Sequence, residues 1–259
     1  MGRTALVTGA SSGFGLEFAR LLARDGYDLV LAARSEDKLK ALKRKLEKQY
    51  GVQVRLFVRD LSEETAAGDL FAFTKEEGLF PEVLINNAGF GDYGLFSASD
   101  LEKQTRMVNL NDRTLMQLTR LFVPAMIREG RGRILNVASI AGFMPGPMMT
   151  VYYASKTFVL SFTEGLAREL KGTGVTVTAL CPGPSDTGFV GAAAVPAGPL
   201  ADLFKGTSAR DVARAGYKAM MQGRVVLVPG PVNKAMASSV RFAPRGLVRE
   251  ILWQLQKRH

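Results

Sequence analysis

The chain has 259 residues, a formal net charge of +10, 47% hydrophobic and 22% charged residues, and a single cysteine and a single histidine, Cys181 and His259. This is enough for one large α/β domain or two small ones, and the composition is that of a folded soluble chain rather than a disordered one. One cysteine excludes a disulfide framework, and the two residues together are too few for a zinc finger. With its only histidine at the last position, the fold holds no Ser-His-Asp triad, so acid–base chemistry near neutral pH falls to tyrosine, lysine, a carboxylate or the thiol. Cys181 is expected to be a small buried hydrophobe.

The positive charge is spread along the chain, with a modest excess after Arg224, and aromatic residues do not interleave with it as a stacking platform requires. No nucleic-acid role is expected. The longest uncharged run, residues 134–155, is long enough to span a bilayer, but it contains Asn136, Gly142, Pro145, Gly146 and Pro147 and reads as a strand followed by a loop. The N-terminus lacks the apolar stretch of a signal peptide, and Leu6 stands where a myristoylation signal has Ser or Thr. A cytoplasmic protein is the expectation.

Apolar runs of strand length alternate with segments of helical period. Strands are expected at Thr4–Thr8, Asp28–Ala33, 52–58, 83–85, 133–137, Val175–Leu180 and 225–228. Between them, helical spacing appears at 16–23, then from Ser35 with Glu36 and Asp37 in the first turn and Leu39, Leu42 and Leu46 as a buried stripe. A further helix is expected to start at Ser62 with Glu63 and Glu64. A long one covers 100–129 with a break near Asn109, and others cover 152–171 and 208–222. This alternation predicts a single Rossmann-type, doubly wound parallel sheet of about seven strands with helices on both faces. No repeat, linker or composition break divides it, so residues 1–259 are expected as one domain. Residues 187–201 are uncharged and rich in Gly, Ala and Pro, which predicts a loop. Residues 229–259 form a basic amphipathic extension, with Arg241, Arg245, Arg249, Lys257 and Arg258 among Val240, Phe242, Leu247, Ile251 and Trp253. It is expected to pack on the domain or a partner subunit, with a membrane-surface contact as the alternative.

The first strand runs into Thr8-Gly9-Ala10-Ser11-Ser12-Gly13-Phe14-Gly15 and a helix follows. Glycine here permits a tight turn and close approach of a pyrophosphate to the backbone, and the helix N-terminus presents free N–H groups to the anion. The spacing is Gly-x3-Gly-x-Gly, not the Gly-x-Gly-x-x-Gly of many dinucleotide enzymes. At the end of the second strand, an acid would hold the ribose hydroxyls of NAD; here Ala32-Ala33-Arg34 places a guanidinium instead, which suits a 2′-phosphate. NADP(H) is therefore expected over NAD(H). Asp60, at the end of the third strand, is placed to accept a hydrogen bond from the adenine amino group.

Taken with Asn86-Asn87-Ala88-Gly89, Asn109, Ser139, Tyr152-x-x-x-Lys156 and Pro182-Gly183, the glycine turn makes the chain resemble the short-chain dehydrogenase/reductase family over about residues 3–230. The resemblance implies an oxidoreductase that interconverts a carbonyl and an alcohol. Tyr152 acts as general acid, Ser139 donates to the substrate oxygen, Lys156 bonds the nicotinamide ribose, and Asn109 interrupts its helix and holds a water linked to Lys156. It also implies cofactor contacts from Ser11, Ser12, Gly13, Phe14 and Gly15, from Leu61 beside Asp60, from Asn87, Ala88 and Gly89, and from Pro182, Gly183 and Thr187. A homodimer or homotetramer is expected from the family, although the tail after Gly230 is longer than in many members.

The residue chemistry agrees with these roles. Tyr152 and Lys156 lie one helical turn apart on one face. A phenol of pKa ~10 is a weak acid–base catalyst at neutral pH, and a neighbouring ammonium and a positive nicotinamide would lower it. Tyr153 is the neighbouring alternative, but it stands only three residues before Lys156, which breaks the family spacing. Segments 90–96, 140–151 and 185–205 are expected to wall the substrate site. Phe143, Met144, Met148 and Met149 in the second segment predict an apolar ketone or aldehyde substrate. The competing reading is a cofactor-sensing binding protein on the same fold, since fold alone does not settle function; the full set Ser139, Tyr152 and Lys156 argues for the enzyme.

Overall fold

A computed structural model describes residues 3–185 and 208–257. Seven parallel strands form one sheet in the order β3-β2-β1-β4-β5-β6-β7. They are β1 (Thr4–Thr8), β2 (Asp28–Ala33), β3 (Val54–Val58), β4 (Pro81–Asn86), β5 (Gly132–Val137), β6 (Val175–Leu180) and β7 (Val226–Leu227). The helices are α1 (Gly13–Arg24), α2 (Glu36–Tyr50), α3 (Ala66–Glu76), α4 (Leu101–Val108), α5 (Leu115–Arg128), α6 (Thr150–Glu169), α7 (Ala209–Met221), α8 (Pro231–Ser239) and α9 (Arg245–Gln256).

The strands are apolar on both sides because helices cover both faces, and their two-residue period feeds two cores. Ala5, Val7, Leu29 and Leu31 pack with Phe18, Leu22, Leu39 and Leu46 under α1, α2 and α7. Leu6, Val30, Leu84 and Ile134 face the other way, against Leu70, Leu118 and Phe122 of α3 and α5. Strand order reverses between β1 and β4, so the crevice at that switch point, beyond the carboxyl ends of the strands, is the ligand-binding place of this architecture. Thr8, Ala33, Asn86, Val137 and Leu180 all end their strands there.

One local expectation is revised, and another takes a definite form. Ser62 does not cap α3: its N–H and hydroxyl both bond Asp60 Oδ1, at 2.9 and 2.7 Å, which folds 60–62 into a turn and delays the helix until Ala66, with Thr65 at the N-cap position. The break near Asn109 is a π-turn over Asn109–Thr114 joining α4 to α5, the kind of one-turn irregularity often found at functional sites.

The C-terminal extension forms α8 and α9 and packs on the sheet domain. Val248 and Leu252 are buried against Met144, with Phe143, Tyr153, Met236, Val240 and Ala243 around them. Phe242, Leu247 and Ile251 point outward and stay exposed. Among the described residues, no helix is long and apolar enough to cross a membrane.

Candidate active site

The turn after β1 is held by the backbone bond from Gly9 N to Ala32 O, at 2.8 Å, and by side chain–backbone bonds. Thr8 Oγ1 accepts from the N–H groups of Asn87 and Ala88, both at 3.0 Å, and donates to Ile85 O at 3.2 Å. Asn87 Nδ2 donates back to Thr8 O and Gly9 O at 2.9 and 3.2 Å. The turn tolerates no side chain at two points. A Cβ on Gly9, whose φ is +65°, would lie 2.7 Å from Asn87 Nδ2, and one on Gly15 would lie 2.3 Å from Gly9 O. Ser12 occupies the N-cap of α1 but its side chain makes no capping bond, so the leading N–H groups of α1 beyond Ser11 and Ser12, those of Gly13, Phe14 and Gly15, are left for another acceptor. Bare backbone and an uncapped helix start fit the pyrophosphate of a dinucleotide.

Just beyond β2, Arg34 is 69% exposed at its side chain and pairs with Asp60 Oδ2 at 3.5 Å. Asp60 is held more tightly by Arg106, at 2.6 Å on the same oxygen, while Oδ1 takes both Ser62 bonds. Burial alone would raise this carboxyl; the bonds from Ser62 and Arg106 outweigh it and hold Asp60 below the usual carboxylate range. Each oxygen already accepts two hydrogen bonds, so the expected adenine contact would require one to be given up. Leu61 is buried and its carbonyl accepts from Thr114 Oγ1 at 2.6 Å, which ties this corner to the π-turn.

The acid–base group assembles at the ends of β5 and β6. Ser139 begins a short 3-10 turn (Ile140–Phe143) and its Oγ accepts from Ala141 N at 3.1 Å. It is hydrogen-bonded to the Tyr152 hydroxyl and donates to Pro182 O at 3.4 Å. Lys156 Nζ, one turn further along α6, donates to Val137 O at 2.8 Å and lies 5.8 Å from the Tyr152 ring centroid. All three side chains are buried. Burial pushes Tyr152 above the ordinary phenol range, against the expected lowering, and outweighs the opposing hydrogen bond with Ser139. Burial also lowers Lys156, to about 8, although Asp112 and Cys181 pull it upward. Cys181 is fully enclosed and its thiol is pushed up to about 12, as befits a core residue.

Asn109 does not join this group. It is partly exposed, and its side chain makes no hydrogen bond among the described residues. Asn111, two residues on, is buried instead. Its Nδ2 donates to Phe90 O and to Ser155 Oγ, both at 3.0 Å, and its Oδ1 accepts from Phe90 N at 3.1 Å. Gly89 sits between this carboxamide and the lysine: a Cβ there would lie 2.9 Å from Asn111 Oδ1 and 3.6 Å from Lys156 Nζ. The expectation for Asn109 is therefore corrected to Asn111, because residues two apart face different sides of a helix. A signal was present in the sequence. Asn111 is in phase with the apolar stripe of Leu115, Leu118 and Phe122, and Asn109 is not.

Next to Asn111, Asp112 went unnoticed in the sequence. Its carboxyl is pushed up to about 7 by burial, which outweighs the pull of Lys156. Gln256 was also missed. Its Nε2 donates to the Tyr153 hydroxyl at 2.8 Å, and its carbonyl accepts from the Tyr93 hydroxyl. This commits Tyr153 to α9 and leaves Tyr152 as the tyrosine bonded to Ser139. The walls at 90–96 and 140–151 do meet: Phe90 and Tyr93 border the cluster of Met107, Ala141, Met149 and Tyr152. Met148 is held at φ 63°, rare for a side chain of its size, and its carbonyl accepts from Gly94 N at 2.8 Å. Gly183 packs so closely on Asn233 of α8 that a Cβ would lie 2.6 Å from Asn233 Oδ1. Thr187 and all but the first residue of the 185–205 segment lie outside the described residues.

Comparison with known proteins returns the same architecture. The short chain dehydrogenase family matches residues 3–195. A very-long-chain 3-oxoacyl-CoA reductase of Anas platyrhynchos is 37% identical over 70% of this chain, which spans only 59% of that relative's length. A ketoacyl reductase, HetN, of a Nostoc species is 32% identical and covers 97% of this chain and 89% of its own. Among solved structures, a short-chain dehydrogenase from Sphingobium yanoikuyae in complex with NADPH superimposes with a TM-score of 0.83 at 32% identity, over 95% of this chain and 94% of that one. A family member from Burkholderia phymatum in complex with NAD gives a TM-score of 0.81 at 30% identity, over 93% and 92%. With its glycine turn, its buried serine, tyrosine and lysine, and a family match over most of its length, the chain belongs to the short chain dehydrogenase family.

Proposed function

We propose that the chain is an NADPH-dependent carbonyl reductase with an apolar ketone substrate and Tyr152 as the proton donor. The observation that carries this reading is the buried contact of the Tyr152 hydroxyl with Ser139, beside the Lys156 ammonium. A bound reduced nicotinamide would supply hydride. Tyr152 gives its proton to the carbonyl oxygen, a role suited to a phenol whose burial keeps it protonated. Ser139 donates to that oxygen as charge develops on it. Lys156 holds a positive charge beside the phenol and is the residue placed to bond the nicotinamide ribose, with Asn111 taking the place expected for Asn109.

Arg34 supports NADPH: it is exposed at the end of β2, where an acid would favour NAD, and its partner Asp60 is already neutralised by Arg106. Apolar walls from Phe90, Tyr93 and Met149 beside Tyr152 support an apolar substrate, and the relatives named for 3-oxoacyl and ketoacyl reduction make 3-oxoacyl thioesters the first to try.

The test begins with thermal stabilisation by NADPH and NADH at equal concentration, followed by NADPH oxidation over a carbonyl panel. The expected result is a larger shift with NADPH and turnover of apolar ketones. A larger shift with NADH would overturn the reading of Arg34. A shift with either cofactor but turnover of no carbonyl would replace the enzyme with a cofactor-binding protein.

A further inference from the structure

Away from the crevice, three helices on one face of the sheet turn positive charge toward a single groove. Arg20 and Arg24 come from α1, Lys45 from α2, and Arg210 and Arg214 from α7. The two arginines of α1 stand four residues apart, as do the two of α7, so each pair shares one side of its helix. Leu21 and Tyr50 line the same groove and pack on the core beneath it. The groove holds about 290 Å³, the lower limit of small-molecule sites. Glu17 is the carboxylate that lines it, and this is paired with Arg20. Arg24 is paired with Asp25 at 3.0 Å, and the other oxygen of Asp25 accepts from the Tyr217 hydroxyl at 2.7 Å. Lys45, Arg210 and Arg214 make no ion pair among the described residues. The other carboxylates of the three helices are engaged elsewhere or pair with none of them: Glu36 with Lys40, Glu47 with Lys43, Asp211 with Ser208 Oγ, and Asp37 in the first turn of α2. Like charges gathered around one groove repel each other until an anion enters. None of the residues assigned to cofactor or substrate lines this groove; Arg20 and Arg24 stand roughly 10 to 17 Å beyond Gly13 along α1.

We propose that this groove is a second anion site, separate from the glycine turn, which binds a compact oligophosphate. The proposal does not rest on the carbonyl-reductase reading, because the groove uses no residue placed in that machinery. A guanidinium presents a planar fork that matches phosphate oxygens two at a time, and Arg20, Arg24, Arg210 and Arg214 bring such forks from two sides. Glu17 and Asp25 each take a single N–H of their arginine, out of the five it carries, so they hold Arg20 and Arg24 in place and leave donors for a ligand. Lys45, Arg210 and Arg214 together call for about three negative charges, and linked phosphate groups supply these in a volume this small. A free oligophosphate and the headgroup of a phosphorylated lipid share this chemistry.

The test titrates the full chain with tripolyphosphate by calorimetry at an ionic strength of about 0.15 M, where exposed charges more than about 8 Å apart are screened. One saturable site is expected, and it should persist with NADPH in excess. Arg210→Gln/Arg214→Gln should weaken it on the order of ten-fold or more, the loss that follows removal of charge-assisted bonds, while stabilisation by NADPH stays as in the wild type. Both side chains are exposed and make no hydrogen bond among the described residues, so this variant is expected to fold, and its melting temperature without ligand checks that. Arg120→Gln/Arg128→Gln removes the same charge from α5, on the other face of the sheet, and should leave the affinity unchanged. Phosphatidylcholine vesicles with and without phosphatidylinositol bisphosphate identify the source of the phosphates. Sedimentation with the phosphorylated vesicles that is lost in Arg210→Gln/Arg214→Gln points to a lipid headgroup, and tripolyphosphate binding without sedimentation points to a soluble ligand; either agrees with the site. Absence of saturable tripolyphosphate binding, equal weakening in the two double variants, or displacement by NADPH would overturn it. A chain that binds tripolyphosphate in the groove but neither NADPH nor NADH would overturn the reductase reading and leave the site standing.

Discussion

The two sides of the crevice are built by opposite means. On the side proposed for the cofactor, the turn after β1 is defined by what is missing: no side chain at Gly9 or Gly15, no capping bond from Ser12, and a lattice from Thr8 and Asn87 that leaves no slack. On the side proposed for the substrate, shape comes from bulky apolar side chains near Phe90 and near Met149, which cluster with Tyr152, while α9 packs on Met144 and is tied in by the Tyr93–Gln256–Tyr153 contacts. A backbone cradle suits a ligand whose shape never changes. A wall of methionines, aromatics and a terminal helix can be altered without touching the cradle. Specificity in this protein is therefore expected to vary by changes at 90–96, 140–151 and α9, with the turn left alone.

That contrast is sharpest at the residue between the two sides. Tyr152→Phe should reduce turnover on the order of 10³-fold, within the range for a positioned general acid, while cofactor-induced stabilisation remains. Steady-state kinetics and thermal shift on the same sample check it, and retained turnover would remove Tyr152 from its role. Gly15→Val attacks the cradle. With a Cβ only 2.3 Å from Gly9 O the turn must open, at about 2–3 kcal/mol of stability, and the shift with either cofactor should vanish. Leu252→Ala attacks the wall. Loosening α9 should raise KM for an apolar ketone roughly five-fold, a change of about 1 kcal/mol, with the cofactor-induced shift unaltered. If that variant lost cofactor binding as well, the two sides would not be separable. The gentlest probe is pH. Lys156 sits at about 8, so its ammonium is lost as pH rises through that value, and kcat for reduction should fall above it.

The sheet was legible in the sequence because its strands are short apolar runs bounded by glycine and polar residues, and β1, β2 and β6 match the expected limits. The glycine turn, Ser139, Tyr152 and Lys156 were legible for the same reason: each is fixed by its distance from a strand end or by one helical turn. What escaped depends on rotation about a helix axis or on distance along the chain. Asn109 and Asn111 differ only in the face they present, and the π-turn changes that face locally. Ser62 has the composition of a cap, but Asp60 two residues earlier claims both its donors. Gln256 meets Tyr93 across 163 positions, and nothing in the local pattern of either residue announces the other.

That last contact orders events during synthesis. The sheet, the glycine turn and the Ser139, Tyr152 and Lys156 group draw on residues up to β7, whereas the packing of α9 on Met144 and its bonds to Tyr153 and Tyr93 wait until residue 256 has left the ribosome. On the proposed function, a nascent chain therefore becomes able to hold a dinucleotide before it is able to select what the dinucleotide acts upon.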